Sequence, residues 1–283
     1  MQLAPLGRTA GALWRCSHPG PTLVVTVLAL VLGVAAGVDA GRLALLGAAV
    51  IAGQLSVGWS NDAIDAARDL IVDRRDKPIA RGEITARTVW VAAGIAVGLA
   101  AALSAFLGPV FLAVHGLALA SAWAYNLGLK NTALSVAPFV LSFGLFPSLA
   151  TLALATPVVA APWATLAGAT LGIAVHFSNV LPDLEDDAQT GVRGLPHRWG
   201  ARASAVCAFV AVEVGAVIVL LGPVVGGEPV RPASLGGIVL VTAVAVIGTV
   251  RALRRPDRAV FRLVMLAALL LVAQLAVTGV GVS

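Results

Sequence analysis

Two clusters of acidic side chains are the residues of this sequence best suited to chemistry. The first runs from Asn61 to Asp76 and the second from Asp183 to Asp187, and together with Glu83 they hold ten of the fourteen acidic residues. Long uncharged stretches flank both clusters, and carboxylates are costly beside hydrocarbon. This concentration of charge therefore predicts a functional site.

The carboxylates of the first cluster have helical spacing. Asp62, Asp65, Asp69 and Asp73 are separated by three, four and four positions, so a helix that continues through them carries all four on one face. Like charges at this spacing repel one another. A protein tolerates such a row when positive charge lies against it.

The second cluster repeats this arrangement, since Asp183, Asp186 and Asp187 lie at positions i, i+3 and i+4. Oxygen ligands that leave room for water and phosphate oxygens suit Mg²⁺. Two carboxylate rows at the mouths of two membrane helices thus predict Mg²⁺ ions that bridge the phosphates of one substrate. That substrate would be a diphosphate.

Basic side chains lie near both clusters and are expected to contact the phosphate oxygens and stabilise a leaving diphosphate. The residues predicted for this role are Arg68, Arg74, Lys77, Lys130 and Arg193. For Arg74, a role in membrane topology explains the residue at least as well.

The elements that must position these side chains are membrane helices. Hydrophobic residues make up 59% of the chain and charged residues 12%, and the mean hydropathy is +0.96, values typical of an integral membrane protein. A helix of about 20 apolar residues crosses the ~30 Å hydrocarbon core. This rule gives nine candidate spans: Thr22 to Val38, Leu43 to Trp59, Val89 to Leu107, Val110 to Leu127, Leu134 to Leu154, Val158 to Phe177, Ala203 to Leu221, Leu235 to Val250 and Phe261 to Val282.

We therefore predict an all-α integral membrane protein with about nine transmembrane helices in a single bundle around a central cavity, and residues 1–283 as one domain. Short cytoplasmic loops carry an excess of Lys and Arg. Of the nineteen such residues, all but Arg42 and Arg231 fall on one side of the predicted topology. The N-terminus and both acidic clusters should face the cytoplasm, with the C-terminus outside and the site opening to the cytoplasm from the cell membrane.

The strongly basic composition does not indicate nucleic-acid binding. The pI is about 10.2, but the basic residues are spread over loops that flank the membrane, where they set orientation and meet anionic lipid. The expected partners are the lipid bilayer and small molecules, with no nucleic acid.

Three further polar side chains lie within predicted spans. Glu213 falls in the middle of the seventh span, where it should be protonated, paired or turned towards a cavity, and acceptor binding is one reading of it. His115 and His176 are predicted to form interhelical hydrogen bonds, since neither has a partner at metal-binding spacing.

The motifs resemble those of the UbiA superfamily of intramembrane prenyltransferases, whose members have nine transmembrane helices and two aspartate-rich motifs. The family's NDxxDxxxD corresponds to Asn61 to Asp69, and an RP-glycine-like segment follows as Lys77 to Gly82. The second motif, DxxxD with an asparagine four residues upstream, corresponds to Asn179 and Asp183 to Asp187. The family's tyrosine-to-lysine segment is similar to Tyr125 to Lys130.

The resemblance extends from about Trp14 through the last predicted helix. It implies Mg²⁺-dependent transfer of a prenyl group from a prenyl diphosphate, through an allylic carbocation, to an acceptor that we expect to be aromatic. Lys77 departs from the arginine of many members, which keeps the charge but loses bidentate geometry. The implied metal-binding and catalytic residues are Asp62, Asp65, Asp69, Asp183 and Asp187. The implied substrate-binding residues are Asn61, Arg68, Arg74, Lys77, Tyr125, Lys130, Asn179 and Arg193.

Two alternatives remain open on the sequence. A terpene cyclase of the same superfamily would ionise the diphosphate and capture the cation with the substrate's own double bonds. A transporter or channel would use acidic mouths for selectivity, but transporters place key charges near the bilayer midplane, whereas these clusters lie at predicted helix ends.

Overall fold

The computed structural model describes residues 6–71, 74, 76–184, 191–254 and 257–279, and the regular structure of these residues is helical. The helices are α1 Leu6–Cys16, α2 Pro19–Ala36, α3 Ala40–Ile71, α4 Ala86–Leu107, α5 Pro109–Leu127, α6 Ala137–Leu152, α7 Pro162–Val180, α8 Leu195–Val225, α9 Pro232–Arg254 and α10 Arg258–Thr278. Short 3₁₀ turns cover Leu129–Asn131 and Leu181–Asp183. Each of the nine predicted spans overlaps one helix from α2 to α10.

Seven of these helices are long and apolar enough to cross a membrane, namely α2, α3, α4, α5, α8, α9 and α10. Helix α6 is apolar but has only 16 residues. Large apolar side chains cover the outside of the bundle, with Ile95, Phe106 and Val239 exposed by 67%, 74% and 66%. Such a surface is typical of contact with lipid rather than water. The number nine and the orientation of the termini stay predictions.

Helix α3 carries the first acidic cluster. It runs unbroken for 32 residues, which at 1.5 Å per residue is about 48 Å and exceeds the ~30 Å hydrocarbon core. Its last turns therefore extend past the predicted membrane span and hold Asp62, Asp65 and Asp69. This confirms that the second predicted span continues as a helix through these residues, while Asp73 lies outside the described residues.

Helix α1 was not predicted from the sequence. It lies against the last turns of α3, where Trp59 Nε1 donates a hydrogen bond to Leu13 O at 2.8 Å. Ala12 and Cys16 are fully buried in a small apolar cluster with Ala63 of α3. The burial of Cys16, together with the carboxylate of nearby Asp62, raises the pKa of its thiol to about 12.

Arg42 closes the opposite end of the bundle. At the start of α3 it donates from Nε to Ala153 O at 2.6 Å and from Nη2 to Leu107 O at 3.0 Å. These carbonyls belong to the ends of α6 and α4, where a cation is favourable. One arginine thus joins the ends of three helices.

Small residues bring α6 and α7 into close contact. A Cβ on Gly168 would lie 2.2 Å from Phe143 O, and one on Gly172 would lie 2.3 Å from Phe139 O. Glycines four positions apart allow helix backbones to approach in this way. These contacts hold the middle of α7 against α6.

Candidate active site

Three carboxylates of the first cluster lie on one face of α3. Asp62, Asp65 and Asp69 are exposed by only 2%, 8% and 3%. Buried carboxylates require paired charges or hydrogen bonds. For Asp62 and Asp65 the structure supplies these from three other segments of the chain.

Asp62 is held by two nitrogen groups at one oxygen. Lys77 Nζ donates to Asp62 Oδ1 at 2.5 Å, and His18 Nε2 lies 2.8 Å from the same atom. The two nitrogens are 3.4 Å apart. Lys77, a predicted phosphate-binding residue, lies in the turn that follows α3.

His18 is a site residue that the sequence analysis missed. It precedes α2 with φ 53° and ψ 69°, and it is the one non-glycine residue with positive φ among those described. Gly58 makes room for this segment, because a Cβ there would lie 2.4 Å from Ser17 O. Gly58 is one turn before Asp62 on α3, so the close approach brings His18 to the carboxylate. The available sequence signal was a histidine directly before Pro19 at a helix start, a position where ordinary helical backbone is disfavoured.

Asp65 is paired with a buried lysine. Lys130 Nζ lies 2.6 Å and 2.7 Å from the two carboxylate oxygens of Asp65, and 3.4 Å from Asn61 Oδ1. Lys130 is 9% exposed and belongs to the 3₁₀ turn after α5. The predicted residues Asn61, Asp65 and Lys130 are therefore brought together.

Arg68 lies between two carboxylates of the row. Its Nη2 donates to Asp65 Oδ2 at 3.1 Å and is 3.9 Å from Asp69 Oδ1. Arg74 forms a bidentate contact with Asp76, at 2.9 Å for both pairs of atoms. The guanidinium of Arg74 lowers the pKa of Asp76 to about 2.

The second cluster is described only in part. Asn179 is exposed near the end of α7, and the backbone of Asp183 ends the following 3₁₀ turn. Asp187 lies outside the described residues, as do Glu185 and Asp186. Arg193 is exposed, and its carbonyl accepts a hydrogen bond from Arg198 Nε at 3.2 Å.

The chain after the second cluster returns to the turn that carries Lys130. A Cβ on Gly194 would lie 2.6 Å from Lys130 O, and Leu195 N donates to Ser135 Oγ at 2.9 Å. The turn that carries Lys130, which contacts the first cluster, therefore meets the segment that follows the second cluster.

Aromatic rings lie beside this end. The Tyr125 ring is 5.1 Å from that of Phe139 and 5.9 Å from that of His176, both edge-on. Phe139 also stacks on Phe143. Such ring faces can stabilise a cation in an apolar space.

The three polar side chains predicted within the spans each form one hydrogen bond, whereas His176 Nδ1 and Glu213 Oε2 are buried without a partner among the described residues. His176 Nε2 is 3.0 Å from Ser135 Oγ, and His115 Nδ1 is 2.8 Å from Ser104 Oγ, which confirms the predicted hydrogen bonding. Glu213 Oε1 accepts from Thr242 Oγ1 at 2.8 Å. This contact satisfies one oxygen of Glu213, so the three predicted alternatives for this side chain stay open.

The donor set fits a hard divalent cation. Within the described ranges, no group of three His, Cys, Asp or Glu residues is clustered closely enough to enclose a metal by itself. These ranges contain the full side chains of only one carboxylate row, however. Three buried carboxylates on one helix face supply the oxygen ligands that Mg²⁺ prefers, and coordination completed by phosphate oxygens and water needs no closed protein cage.

Comparison with known proteins gives a family match. The model of the UbiA prenyltransferase family matches residues 22–272. No curated protein matches the sequence.

Solved structures share the fold. The apo structure of a UbiA homolog from Aeropyrum pernix K1 is similar with a TM-score of 0.73 and 16% identity, over 90% of this chain and 96% of that chain. A UbiA homolog from Archaeoglobus fulgidus bound to GPP and Mg²⁺ gives 0.70 and 15%, over 93% and 97%. A digeranylgeranylglyceryl phosphate synthase gives 0.70 and 14%, over 95% and 97%.

Proposed function

Since the chain belongs to the UbiA prenyltransferase family, we propose that it transfers a prenyl group within the membrane from a prenyl diphosphate to an aromatic acceptor, in a reaction that depends on Mg²⁺. The observation that carries the proposal is the row of three buried carboxylates on α3 with cationic side chains against it. A neutral lipid substrate would have no use for this charge. A diphosphate with divalent cations matches both its acidic and its basic members.

The residues that would hold Mg²⁺ are Asp62, Asp65, Asp69, Asp183 and Asp187. Bound Mg²⁺ supplies Lewis-acid stabilisation of the negative charge that develops on the leaving diphosphate. The A. fulgidus homolog bound to GPP and Mg²⁺ supports a dependence on Mg²⁺.

Lys77 and Lys130 have one role before the substrate binds and another afterwards. In the structure, Lys77 and Lys130 neutralise Asp62 and Asp65. When a diphosphate and its counter-ions arrive, these flexible ammonium groups can donate to phosphate oxygens instead, because a lysine has three donors on a mobile stem. Further phosphate and headgroup contacts are proposed from Asn61, Arg68, Arg74, Asn179 and Arg193.

Chemistry then proceeds by ionisation. The bond between the prenyl carbon and the diphosphate oxygen breaks, and its electron pair leaves with the diphosphate. The apolar interior excludes water, and the face of Tyr125 stabilises the allylic cation. A nucleophilic atom of the acceptor forms the new bond to the prenyl carbon and then loses a proton.

Activity of the purified protein in lipid nanodiscs tests this proposal. With Mg²⁺, geranyl to geranylgeranyl diphosphates and a panel of aromatic acceptors, mass spectrometry should detect a prenylated acceptor. Asp62→Asn and Asp65→Asn should each lower turnover by about a hundredfold or more. Glu228→Gln, at a half-exposed carboxylate 3.6 Å from Arg231 Nη2, serves as the control.

Two results would contradict the transfer reaction. A cyclic hydrocarbon formed from the diphosphate without acceptor would identify a cyclase. Unchanged turnover in both Asp62→Asn and Asp65→Asn would show that the acidic cluster on α3 is not the reaction site.

A further inference from the structure

Four exposed arginines lie where α9 ends and α10 begins, and we call them the arginine patch. Arg251 and Arg254 belong to the last turn of α9, and Arg258 and Arg262 to the first two turns of α10. Three residues separate Arg254 from Arg258, so their Cα atoms are at most about 14 Å apart. The patch therefore gathers positive charge at one end of two helices that pack against each other.

The carboxylate beside the patch neutralises one of these arginines. Asp257 is the one acidic residue from position 251 to position 262. It accepts from Arg251 Nε at Oδ1, at 3.1 Å, and from Arg251 Nη2 at Oδ2, at 2.6 Å. Oδ1 also accepts from the backbone N–H groups of Ala259 and Val260, which begin α10. Asp257 is thus committed to Arg251 and to the helix start.

The other three arginines of the patch differ from the cations of the acidic site. Lys77 and Lys130 each contact a buried carboxylate. Arg254, Arg258 and Arg262 form no ion pair within the described part of the chain. A guanidinium group binds phosphate through two parallel hydrogen bonds. Three such groups are therefore available to an anion from outside the chain.

Exposed apolar side chains continue from the patch along both helices. On α9, Val250 and Val246 lie one and two turns before Arg254, and on α10, Leu266 lies one turn after Arg262. Residues four positions apart share one face of a helix. Each helix therefore carries an apolar stripe that ends in an arginine, and both helices are candidate membrane spans.

We propose that the arginine patch binds the headgroup of an anionic phospholipid whose acyl chains lie along these stripes. The phosphate is complementary to the guanidinium groups, and the acyl chains are complementary to the exposed valine and leucine side chains. A zwitterionic lipid supplies no net negative charge to the patch. A free phosphate ion leaves the apolar stripes without a contact.

Membrane topology alone does not account for the patch. Cations in any loop on one side of the membrane satisfy the rule for orientation. That rule does not require three cations without a carboxylate partner between Arg254 and Arg262. A lipid phosphate supplies the missing negative charge.

Helix α10 connects the patch to the proposed reaction centre. Met265, one turn from Arg262, accepts a hydrogen bond at Sδ from Ser178 Oγ of α7 at 3.9 Å. Ser178 directly precedes Asn179. A phospholipid that holds the start of α10 therefore supports α7 beside the second acidic cluster. Lipid binding itself does not depend on the proposed prenyl transfer.

Native mass spectrometry of the protein in a neutral detergent tests the inference. The protein is titrated with phosphatidylglycerol or with phosphatidylcholine of identical acyl chains, and the fraction that carries one lipid is measured. We expect phosphatidylglycerol to bind at least about tenfold more tightly, because each arginine near an anionic headgroup contributes about fivefold. The double variant Arg258→Gln with Arg262→Gln should remove this preference and leave the binding of phosphatidylcholine unchanged.

A matched double variant separates a site from general surface charge. Arg8→Gln with Arg87→Gln removes the same charge from two exposed arginines that also form no ion pair among the described residues, and it should change phosphatidylglycerol binding by less than about twofold. Equal losses in the two double variants, or equal binding of the two lipids, would overturn the inference. So would displacement of phosphatidylglycerol by equimolar glycerophosphoglycerol, its headgroup without acyl chains, because the patch would then bind the anion alone.

Discussion

His18 Nε2 lies 2.8 Å from Asp62 Oδ1, although the two residues are 44 positions apart in the chain. The contact depends on Gly58, over which the backbone of Ser17 passes. It also places the imidazole 3.4 Å from Lys77 Nζ, which reaches the same oxygen. One carboxylate of the proposed Mg²⁺ site is therefore oriented by α3, by the start of α2 and by the turn after α3.

Substitution of His18 should separate orientation of the carboxylate from general stability. His18→Ala removes one of the two contacts to Asp62 and should lower kcat/KM for the prenyl diphosphate by about tenfold. His18→Asn keeps a donor and tolerates the left-handed backbone, so it should retain most of the activity. Equal losses in both variants, measured by steady-state kinetics at saturating Mg²⁺, would contradict a hydrogen-bonding role.

Gly58→Ala should disturb the contact between His18 and the carboxylate of Asp62. The added methyl would lie 2.4 Å from Ser17 O, a backbone atom that must move. We expect a loss of about 1–3 kcal/mol in the free energy of unfolding, together with lower activity. Gly94→Ala, on α4 with open space around it, should leave thermal unfolding in detergent unchanged or slightly improved. A stable and fully active Gly58→Ala protein would show that the close approach is unnecessary.

Lys130 and Asp65 should behave as one unit. Lys130→Met leaves a carboxylate buried with less compensation and should cost about 3–5 kcal/mol of stability. Adding Asp65→Asn should restore much of that stability without restoring turnover, because a proposed metal ligand is then lost. A double-mutant cycle on chemical unfolding and activity measures both effects. Additive losses of stability would mean that the two side chains are not coupled.

Asp76 restrains Arg74, a predicted phosphate contact. Asp76→Asn should weaken the bidentate pair and lower the KM for the prenyl diphosphate by about twofold to fivefold. A KM that stays constant would exclude Arg74 from diphosphate binding.

The pH dependence of this pair has a defined sign. The pKa of Asp76 falls from 3.8 to about 2 in the folded protein, so the pair contributes fully above pH 3.8 and is lost as the pH falls towards 2. The ratio of KM values between the Asp76→Asn variant and the unaltered protein should therefore be constant from pH 5 to pH 9. A ratio that changes across this range would indicate that another group controls Arg74.

Periodicity in the sequence was sufficient to predict the helical architecture. Nine apolar runs correspond to α2 through α10, and the spacing of Asp62, Asp65 and Asp69 correctly predicted a helix that continues beyond the membrane span. These features are local, because a helix repeats every 3.6 residues whatever surrounds it. Helix α1 was not predicted, because its 11 residues are too few for the length rule that identifies a membrane span.

The contacts between side chains of the site were not predictable from periodicity. No spacing rule links Lys130 to Asp65 or His18 to Asp62, since these contacts arise where distant helix ends meet. They depend on glycines whose missing side chains let backbones touch, a property that composition does not reveal. The same holds for His115, for which the sequence predicted a hydrogen bond but not its partner Ser104. The sequence by itself determined which side chains carry charge and which helices carry them, because both are local properties. The pairing of carboxylates with cations was decided by tertiary packing, because packing alone sets the distances between remote residues.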